Sequence, residues 1–421
     1  MNNFADAPAF LRSLFHCAVA AADPMKVVSN HLPPRPKGRL IVIGAGKAST
    51  RMAETVEAHY GSCDGLVITR YGYSRPCEGI EIIEAAHPLP DAAGVDATRR
   101  ILQLVRRLNS DDMVLVLISG GGSALLNAPV EGLTLDDIVT VNKALLTSGA
   151  PIAEMNAIRK RLCDAKGGKL TAACHPARVL SLMISDVPRD DPAMIASGPT
   201  VGEVSGADPQ KIVARYNLDL PDSVLEILNK PSKNLALDDP RLANVENRVI
   251  AAPSMSLNAA AEMARRTGCD VRMLGDALEG EARELGAEQA ILVLEIQRKI
   301  EKGDAPILLL SGGECTVTCR GKGVGGPNAE FVLSAAIALN GAQGIHVLAC
   351  DTDGVDGAAE VAGALAGPDT LKRAGAIGVS PQAALGANDA HSFFAEIDSQ
   401  VITGPTLTNV NDFRAFLIEP I

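Results

Sequence analysis

Short apolar runs recur along the chain and constrain its fold more than any other feature of the sequence. They read RLIVIG, GLVIT, MVLVLIS, VLSLMIS, RVIAAP, PILLLSG and IHVLAC, and segments with helix-like patterning separate them. A continuous apolar run is typical of a strand that is covered on both faces, as in a parallel sheet. The alternation of strands with helices therefore predicts an α/β protein with a doubly wound parallel sheet.

The chain of 421 residues is longer than one hydrophobic core usually supports, so we expect two domains. A polar stretch that contains prolines covers residues 229–248 and is the predicted linker, and we place the boundary between residues 236 and 237. Domains 1–236 and 237–421 would enclose a cleft for the substrate, and the last segment of the chain would pack back on that cleft.

The composition excludes several classes of protein. A net charge of -11 and a pI near 5.2 lack the basic surface of a nucleic-acid-binding protein. The N-terminus has no basic signal-peptide region, and no apolar run is long enough to span a membrane, so we expect a cytoplasmic protein. The nine cysteines include no C-x-x-C pair, which favours reduced thiols, and Cys315 and Cys319 would share one face of a strand. An apolar-rich chain of this size is also compatible with a homodimer.

Loops of small or acidic residues follow four of the apolar runs. They begin at Gly44 (GAGKAS), Ser119 (SGGGSALL), Ser311 (SGGECTV) and Asp351 (DTDGVDG). Ligands of open α/β sheets bind outside the carboxyl ends of the strands, where such loops lie. These loops are therefore the predicted ligand-binding elements, two in each half of the chain.

The loop GAGKAS matches neither standard phosphate-binding motif. A P-loop requires glycine and serine or threonine where this chain has Ile41 and Ala48. A dinucleotide fingerprint requires a third glycine in place of Ser49 and an acidic residue after the next strand, which instead leads into Arg70. Two interpretations remain: Gly44, Gly46 and Lys47 hold an anion at a helix N-terminus, or the glycines only allow close packing.

Other loops offer donors and cations for an anionic ligand. Ser119, Gly120, Gly121, Gly122 and Ser123 could form a nest of N–H donors with hydroxyl groups beside it. His87 and Asp91 flank two prolines, which would either hold them for a ligand or form a structural turn. A predicted helix carries Arg159, Lys160, Arg161 and Lys166 before its Gly-Gly terminus, where these cations would complement the helix dipole or bind a polyphosphate or a carboxylate.

Acidic residues at strand ends complete the candidate site. Asp186 follows a strand directly, Asp190 and Asp191 follow it, and Glu314 and Asp353 hold matching positions in the second half. Carboxylates beside glycine loops and cations suit phosphoryl transfer with Mg²⁺. A nucleophilic triad is not indicated, because the serines have no evident histidine partner and no G-x-S-x-G motif occurs.

Nine motifs in one order resemble the class of glycerate 2-kinases that carry a MOFRL C-terminal domain. They are VIGAGKAS, AAHPLPD, LISGGGSALL, IRKRLCDAKGGKL, SDVPRDDPAMIASGPT, LLLSGGECTV, GGPNAEF, DTDGVDG and ITGPTLTNVND, and they span nearly the whole chain. The resemblance implies a Rossmann-like N-terminal domain, a smaller α/β C-terminal domain, and Mg²⁺-assisted phosphorylation of D-glycerate by ATP at the 2-hydroxyl.

The resemblance also implies roles for particular residues. Lys47 corresponds to the family's phosphate-binding and catalytic lysine, and Ser119 to Ser123 to its glycine-rich anion loop. Asp186 is a candidate base or metal ligand, Asp353 is a candidate metal ligand, and His87, Arg159, Lys166, Glu314, Asn328 and Glu330 would bind nucleotide or substrate.

The chain departs from the family pattern in two motifs. Pro327 stands where many members have an arginine in G-G-R-N-Q-E, and Arg161 stands where they have a histidine. Another cation must then neutralise the transferred phosphoryl group, and Arg159, Arg161 or Lys166 could do so. Compensation by Arg161 is one hypothesis.

Three alternatives stay open from the sequence. Relatives labelled hydroxypyruvate reductase suggest an NAD(P)H-dependent reductase, although the dinucleotide motif is incomplete. The kinase could act on another short hydroxy acid. The protein could also be a non-catalytic sensor that binds sugar acids through the anion loops. Such a sensor would not require the acidic residues at the strand ends.

Overall fold

The computed structural model describes residues 6–203, 207–357 and 359–421 and shows an α/β protein with two main sheets. The strands are β1 (Leu40–Ala45), β2 (Asp64–Arg70), β3 (Ile80–Ala85), β4 (Met113–Ile118), β5 (Arg178–Ile184), β6 (Val245–Ala251), β7 (Asp270–Gly275), β8 (Gly280–Glu281), β9 (Ile307–Gly313), β10 (Cys315–Thr316), β11 (Ile345–Asp351), β12 (Gly363–Ala366), β13 (Gln400–Val401) and β14 (Asp412–Ile418). The predicted apolar runs coincide with β1, β2, β4, β5, β6, β9 and β11.

Helices connect most of these strands. They are α1 (Ala7–Ala21), α2 (Pro24–Val27), α3 (Ser49–Tyr60), α4 (Ala92–Leu104), α5 (Gly122–Leu125), α6 (Leu135–Thr147), α7 (Ile152–Arg161), α8 (Lys169–Cys174), α9 (Pro209–Arg215), α10 (Asp222–Asn229), α11 (Pro253–Thr267), α12 (Ala282–Gln297), α13 (Pro327–Leu339), α14 (Thr370–Ala376), α15 (Pro381–Gly386) and α16 (Ala390–Glu396). No helix in the described ranges is long and apolar enough to cross a membrane.

The first sheet has the strand order β3-β2-β1-β4-β5-β6. The pairs from β3 through β5 are parallel, and every residue of β1 and β4 is buried. This is the strand order of a Rossmann-like sheet, and its direction of winding reverses between β1 and β4. The doubly wound α/β fold predicted from the apolar runs is confirmed.

The second sheet is mixed and has the order β13-β12-β11-β14-β9-β7. The strand β14 lies between β9 and β11 and runs antiparallel to both, while β7 runs parallel to β9. Register pairs Asp412 with both Gly313 and Asp351, so the carboxyl ends of β9 and β11 lie at one edge of this sheet.

The contacts divide the chain into two compact units at a different point from the predicted boundary. One unit is Pro24–Ile250, and the other joins Ala251–Ile421 to the N-terminal helix α1. The predicted boundary at residues 236 and 237 lies before β6, which completes the first sheet. The helix α1 joins the second unit because it packs its apolar face on α11, β11 and β14.

Two local predictions are corrected by the structure. The helix expected to run to the Gly-Gly pair ends at Arg161, because Asp164 donates its backbone N–H to Ala128 at 2.8 Å and a bridge joins Cys163 to Pro129. Lys166 therefore lies in a turn. The strand β10 ends at Thr316, so Cys319 is exposed beyond it and does not share a strand face with the buried Cys315. All nine cysteines are free thiols.

Candidate active site

The predicted anion loops of the Pro24–Ile250 unit meet at the carboxyl ends of β1 and β4. These strands are neighbours at the point where the winding of the sheet reverses, which is where open α/β sheets bind ligands. The backbone N–H of Lys47 donates to the Gly120 carbonyl at 2.9 Å, and the N–H of Ala48 donates to Ser119 Oγ at 2.9 Å. The two loops therefore form one rigid surface.

The backbone of the first loop is fully engaged within the protein. The N–H groups of Gly46, Lys47, Ala48 and Ser49 donate to Ile68 O, Gly120 O, Ser119 Oγ and Gly46 O. A Cβ at Gly44 would lie 2.3 Å from Leu117 O, and one at Gly46 would lie 2.1 Å from Ser119 Oγ. The glycines thus allow close packing, and the half-buried Lys47 side chain is what this loop offers to an anion.

The second loop keeps backbone donors available. The N–H groups of Gly120, Gly121 and Ser123 donate to no residue in the part of the chain that the structure describes. Gly121 has a φ of +83°, which turns the chain into α5 and favours glycine. Neighbouring N–H groups without an acceptor can form a nest that binds an anion. Ser119, by contrast, is buried, and its hydroxyl ties the two loops together.

His87 and Lys47 approach each other over Gly121. A Cβ at Gly121 would lie 3.1 Å from His87 Cδ2 and 3.4 Å from Lys47 Cγ. Burial, and then the charges of Lys47 and Arg70, lower the pKa of His87 to about 3. The imidazole is therefore neutral at physiological pH, and the positive charge above the nest comes from Lys47.

A buried chain of hydrogen bonds links the nest to a cation on α7. Ser123 Oγ lies 2.9 Å from Ser197 Oγ, which donates to Asn156 Oδ1 at 2.9 Å. The guanidinium of Arg159 donates through Nη1 to Asn156 Oδ1 at 3.4 Å and through Nε to Asn142 Oδ1 at 3.0 Å. Sequence reasoning missed Asn142, Asn156 and Ser197, although the spacing of Asn156 and Arg159 on α7 already placed them on one helix face.

The segment after β5 carries unusual backbone conformations. Asp186 is half-buried and lies two residues beyond the strand, and the φ values of Arg189, Asp190, Ala196 and Ser197 are between +50° and +66°. Left-handed conformations at residues other than glycine are strained and cluster at functional sites. A Cβ at Gly122 would lie 2.6 Å from Ala196 Cβ, so this segment packs directly on the glycine loop.

Lys166 and Arg161 are held in different surroundings. Lys166 is buried, its ammonium donates to Leu126 O at 2.9 Å, and burial lowers its pKa. The guanidinium of Arg161 donates to the carbonyls of Leu228 and Lys230 at the end of α10. This role accounts for Arg161 and gives no support to the hypothesis that it compensates for Pro327.

Glu314 and Asp353 lie at the edge formed by the carboxyl ends of β9 and β11 in the other unit. Glu314 is exposed directly after β9, whereas Asp353 is fully buried and its Oδ1 accepts the N–H of Val355 at 2.8 Å. The remaining two predicted site residues of this unit are buried in α13. Pro327 opens that helix, a position where a missing N–H costs nothing.

Asn328 and Glu330 are bound within buried networks. Asn328 donates its N–H to Asp356 Oδ1 at 2.9 Å and its amide group to Asp412 Oδ1 at 2.6 Å. Glu330 accepts from Arg283 Nε at 2.7 Å and from Asn388 Nδ2 at 3.0 Å. These contacts give structural roles to Glu330 and to the amide nitrogen of Asn328, whereas Asn328 Oδ1 is buried and accepts no hydrogen bond from a described residue.

Metal-binding capacity depends on carboxylate oxygens in the two units. Among residues 6–203, 207–357 and 359–421, no group of three His, Cys, Asp or Glu side chains is arranged to hold a metal ion. Mg²⁺ is commonly held by one or two carboxylates together with substrate phosphates, so Asp186 in one unit and Asp353 in the other are each compatible with it as a single ligand.

The sequence is similar to proteins named as glycerate kinases and to one named as a reductase. Residues 10–229 match a family described as a domain of unknown function (DUF4147), and residues 307–412 match the MOFRL family. The chain is 38% identical over 406 residues to the D-glycerate 2-kinase of Thermotoga maritima, an alignment that covers 95% of this chain and 96% of that protein. It is 49% identical over 415 residues to an Agrobacterium vitis protein provisionally named a hydroxypyruvate reductase. This alignment covers 97% of this chain and 94% of that protein. The crystal structure of glycerate kinase from T. maritima matches 98% of this chain and 99% of its own with a TM-score of 0.85 and 36% identity.

Proposed function

The chain belongs to the glycerate kinase family with a MOFRL domain, and we propose that it transfers the terminal phosphoryl group of ATP to the 2-hydroxyl of D-glycerate. The products are 2-phosphoglycerate and ADP. The cytoplasmic location and the homodimer stay predictions from the sequence.

The nest of Gly120, Gly121 and Ser123 is the observation that carries the proposal. Its three free N–H groups and the nearby Lys47 side chain combine at the reversal point of the sheet. Fixed N–H dipoles and an ammonium stabilise the charge that develops on a transferring phosphoryl group, and this is the main contribution that proteins make to phosphoryl transfer.

We assign roles to the chain's own residues on this basis. Lys47 and the nest bind the phosphates. Asp186 accepts the proton of the 2-hydroxyl as the hydroxyl oxygen bonds to the terminal phosphorus, and the bond from that phosphorus to ADP breaks, so that ADP leaves. Asp186 is alternatively a candidate ligand for Mg²⁺, which would neutralise phosphate charge when bound, and Asp353 is the candidate ligand in the other unit. His87, neutral at physiological pH, adds bulk beside Lys47 and no charge.

The reductase alternative has less support from the site. A dinucleotide-binding loop offers backbone N–H groups after the first strand, but those of residues 46–49 are already donated within the protein. The name of the A. vitis relative therefore finds no matching feature in this loop.

A coupled assay with ATP, Mg²⁺ and D-glycerate tests the proposal. ADP release should depend on D-glycerate, and the product should be consumed by enolase directly, which distinguishes 2-phosphoglycerate from the 3-phospho isomer. We expect Lys47→Ala to lower kcat at least 100-fold, because it removes a charge that acts in the transition state. NADH oxidation with hydroxypyruvate but no ADP release, or ADP release without an enolase substrate, would refute the proposal.

A further inference from the structure

Arg159 and Lys166 are buried or half-buried cations without an acidic partner. Within the described residues, no carboxylate lies within 4.0 Å of either side chain. Arg159 contacts two amide oxygens, and Lys166 contacts the Leu126 carbonyl and the Cys163 thiol. Burial lowers the pKa of Arg159 to about 10 and also lowers the pKa of Lys166. Burying unpaired positive charge is costly, and an incoming anion would remove that cost.

The guanidinium of Arg159 is oriented by two asparagines. Its Nε donates to Asn142, one Nη1 hydrogen is directed at Asn156, and the other N–H groups donate to no described residue. Both asparagines are themselves anchored, since Asn142 Nδ2 donates to Ile138 O and Asn156 Nδ2 donates to Met194 O. An arginine fixed in this way presents a planar pair of donors, and that geometry matches a carboxylate.

The same network of hydrogen bonds connects Arg159 to the glycine loop. Asn156 Oδ1 also accepts from Ser197, whose hydroxyl contacts Ser123, so Arg159 and Ser123 are separated by two polar side chains. The turn that carries Lys166 is fixed to the same place, because Gly167 donates its N–H to Ser197 O at 3.3 Å. The site thus has two positive positions, one at Lys47 and the nest and one at Arg159.

We infer that Arg159, positioned by Asn142 and Asn156, binds the carboxylate of the acceptor, and that Lys166 strengthens this subsite through its field. The inference rests on the proposed function, in which Lys47 and the nest bind phosphate. The enzyme therefore takes 2-hydroxy acids with a free carboxylate, and glycerol and D-glyceramide, which lack that charge, are rejected.

Steady-state kinetics of Arg159→Met test the assignment. We expect KM for D-glycerate to rise roughly 10- to 100-fold, because a charge-assisted hydrogen bond is lost, while KM for ATP changes less than about twofold. Arg215→Met is the matched control. It removes an exposed arginine of α9 that pairs with Glu154 on α7, the helix of Arg159, and both KM values should be unchanged. A rise in KM for ATP with KM for D-glycerate unchanged would overturn the inference.

A binding measurement separates this inference from the proposed function. Calorimetric titration of D-glycerate into the enzyme without ATP should show binding to wild type that is lost in Arg159→Met and retained in Arg215→Met. Such binding without any kinase turnover would support the carboxylate subsite and refute the proposed reaction. No binding to wild type, or equal binding to wild type and Arg159→Met, would overturn the subsite.

Asn156→Asp provides a second variant if Arg159→Met does not fold. The new carboxylate would face Arg159 in place of the amide and pair with it, so D-glycerate should bind at least tenfold more weakly while ATP binding is unchanged. Unaltered D-glycerate binding in folded Asn156→Asp would also overturn the inference.

Discussion

His87 is a residue whose chemistry is decided by its surroundings rather than by its type. Histidine usually titrates near neutral pH, but burial and the charges of Lys47 and Arg70 lower the pKa of His87 to about 3. In the unfolded chain His87 binds a proton near pH 6.5, but in the folded protein it does so only near pH 3. The contribution of neutral His87 to the free energy of unfolding is therefore complete above pH 6.5 and declines as the pH falls toward 3.

The variant His87→Asn should therefore change the pH dependence of stability. Without ligand, the melting temperature of wild type should fall more than that of His87→Asn between pH 7.5 and pH 5, by roughly 2 to 6 °C. Thermal denaturation of both proteins across this range measures the difference. Parallel curves would mean that His87 becomes protonated in the folded protein.

Single residues were predictable from the sequence where a motif surrounds them. Lys47 and the glycines of the second loop stand in motifs directly after apolar strands, and the structure places them together. Asn142, Asn156 and Ser197 could not be assigned a role, because their importance comes from hydrogen bonds between segments far apart in the chain.

At the scale of elements, the N-terminus of α13 shows a capping interaction supplied from outside the helix. Both carboxylate oxygens of the buried Asp356 accept helix N–H groups, from Asn328 at 2.9 Å and from Ala329 at 2.8 Å. His391 Nε2 lies 3.0 Å from the same carboxylate. The donors at this helix end are thus bound to Asp356 and are not available to a ligand.

Asp356→Asn should destabilise the protein through this cap. An amide cannot accept at both positions, so a buried N–H loses its acceptor and His391 loses its anionic partner, which together cost about 2–4 kcal/mol. Urea denaturation measures the free energy of unfolding. Asp208→Asn is the control, since Asp208 caps α9 through one exposed bond and asparagine caps equally well. Equal stability of Asp356→Asn and wild type would contradict the account.

The apolar runs predicted seven strands and missed others, and for β3 and β14 the reason is identifiable. The strand β3 is at the sheet edge, and its pattern IEIIEA mixes glutamates with isoleucines rather than forming a continuous apolar run. The strand β14 contains Asp412 and Arg414, which pair at 2.6 Å inside the sheet, so a fully buried strand reads as partly charged. A search for continuous apolar runs does not detect such a strand, because its charged residues pair with each other inside the protein.

At the scale of the whole molecule, the two units do not follow the order of the sequence. The helix α1 precedes the Pro24–Ile250 unit but belongs to the unit of residues 251–421, where its leucines and phenylalanines pack in one core with α11, β11 and β14. Two domains could be predicted from chain length. The assignment of α1 could not, since an amphipathic pattern shows that a helix has a buried face but not which surface covers it.

Leu14→Ala tests the assignment of α1. Leu14 is fully buried, and its truncation should cost about 2–5 kcal/mol. Hydrogen exchange should accelerate in β9, β11 and β14 while β1 and β4 keep their protection. Leu170→Ala, a comparable buried truncation in the Pro24–Ile250 unit, should give the opposite pattern. Faster exchange in β1 and β4 of Leu14→Ala would show that α1 supports the other core.

Because α1 belongs to the unit of residues 251–421, its partners are synthesised long after it. The helix α1 leaves the ribosome before its partners α11, β11 and β14, which follow only after all of Pro24–Ile250 has been made. At common elongation rates this interval lasts on the order of ten seconds or more. During that time Phe10, Leu11, Leu14 and Phe15 have no core to enter, so the nascent chain carries an apolar helix of the kind that chaperones bind.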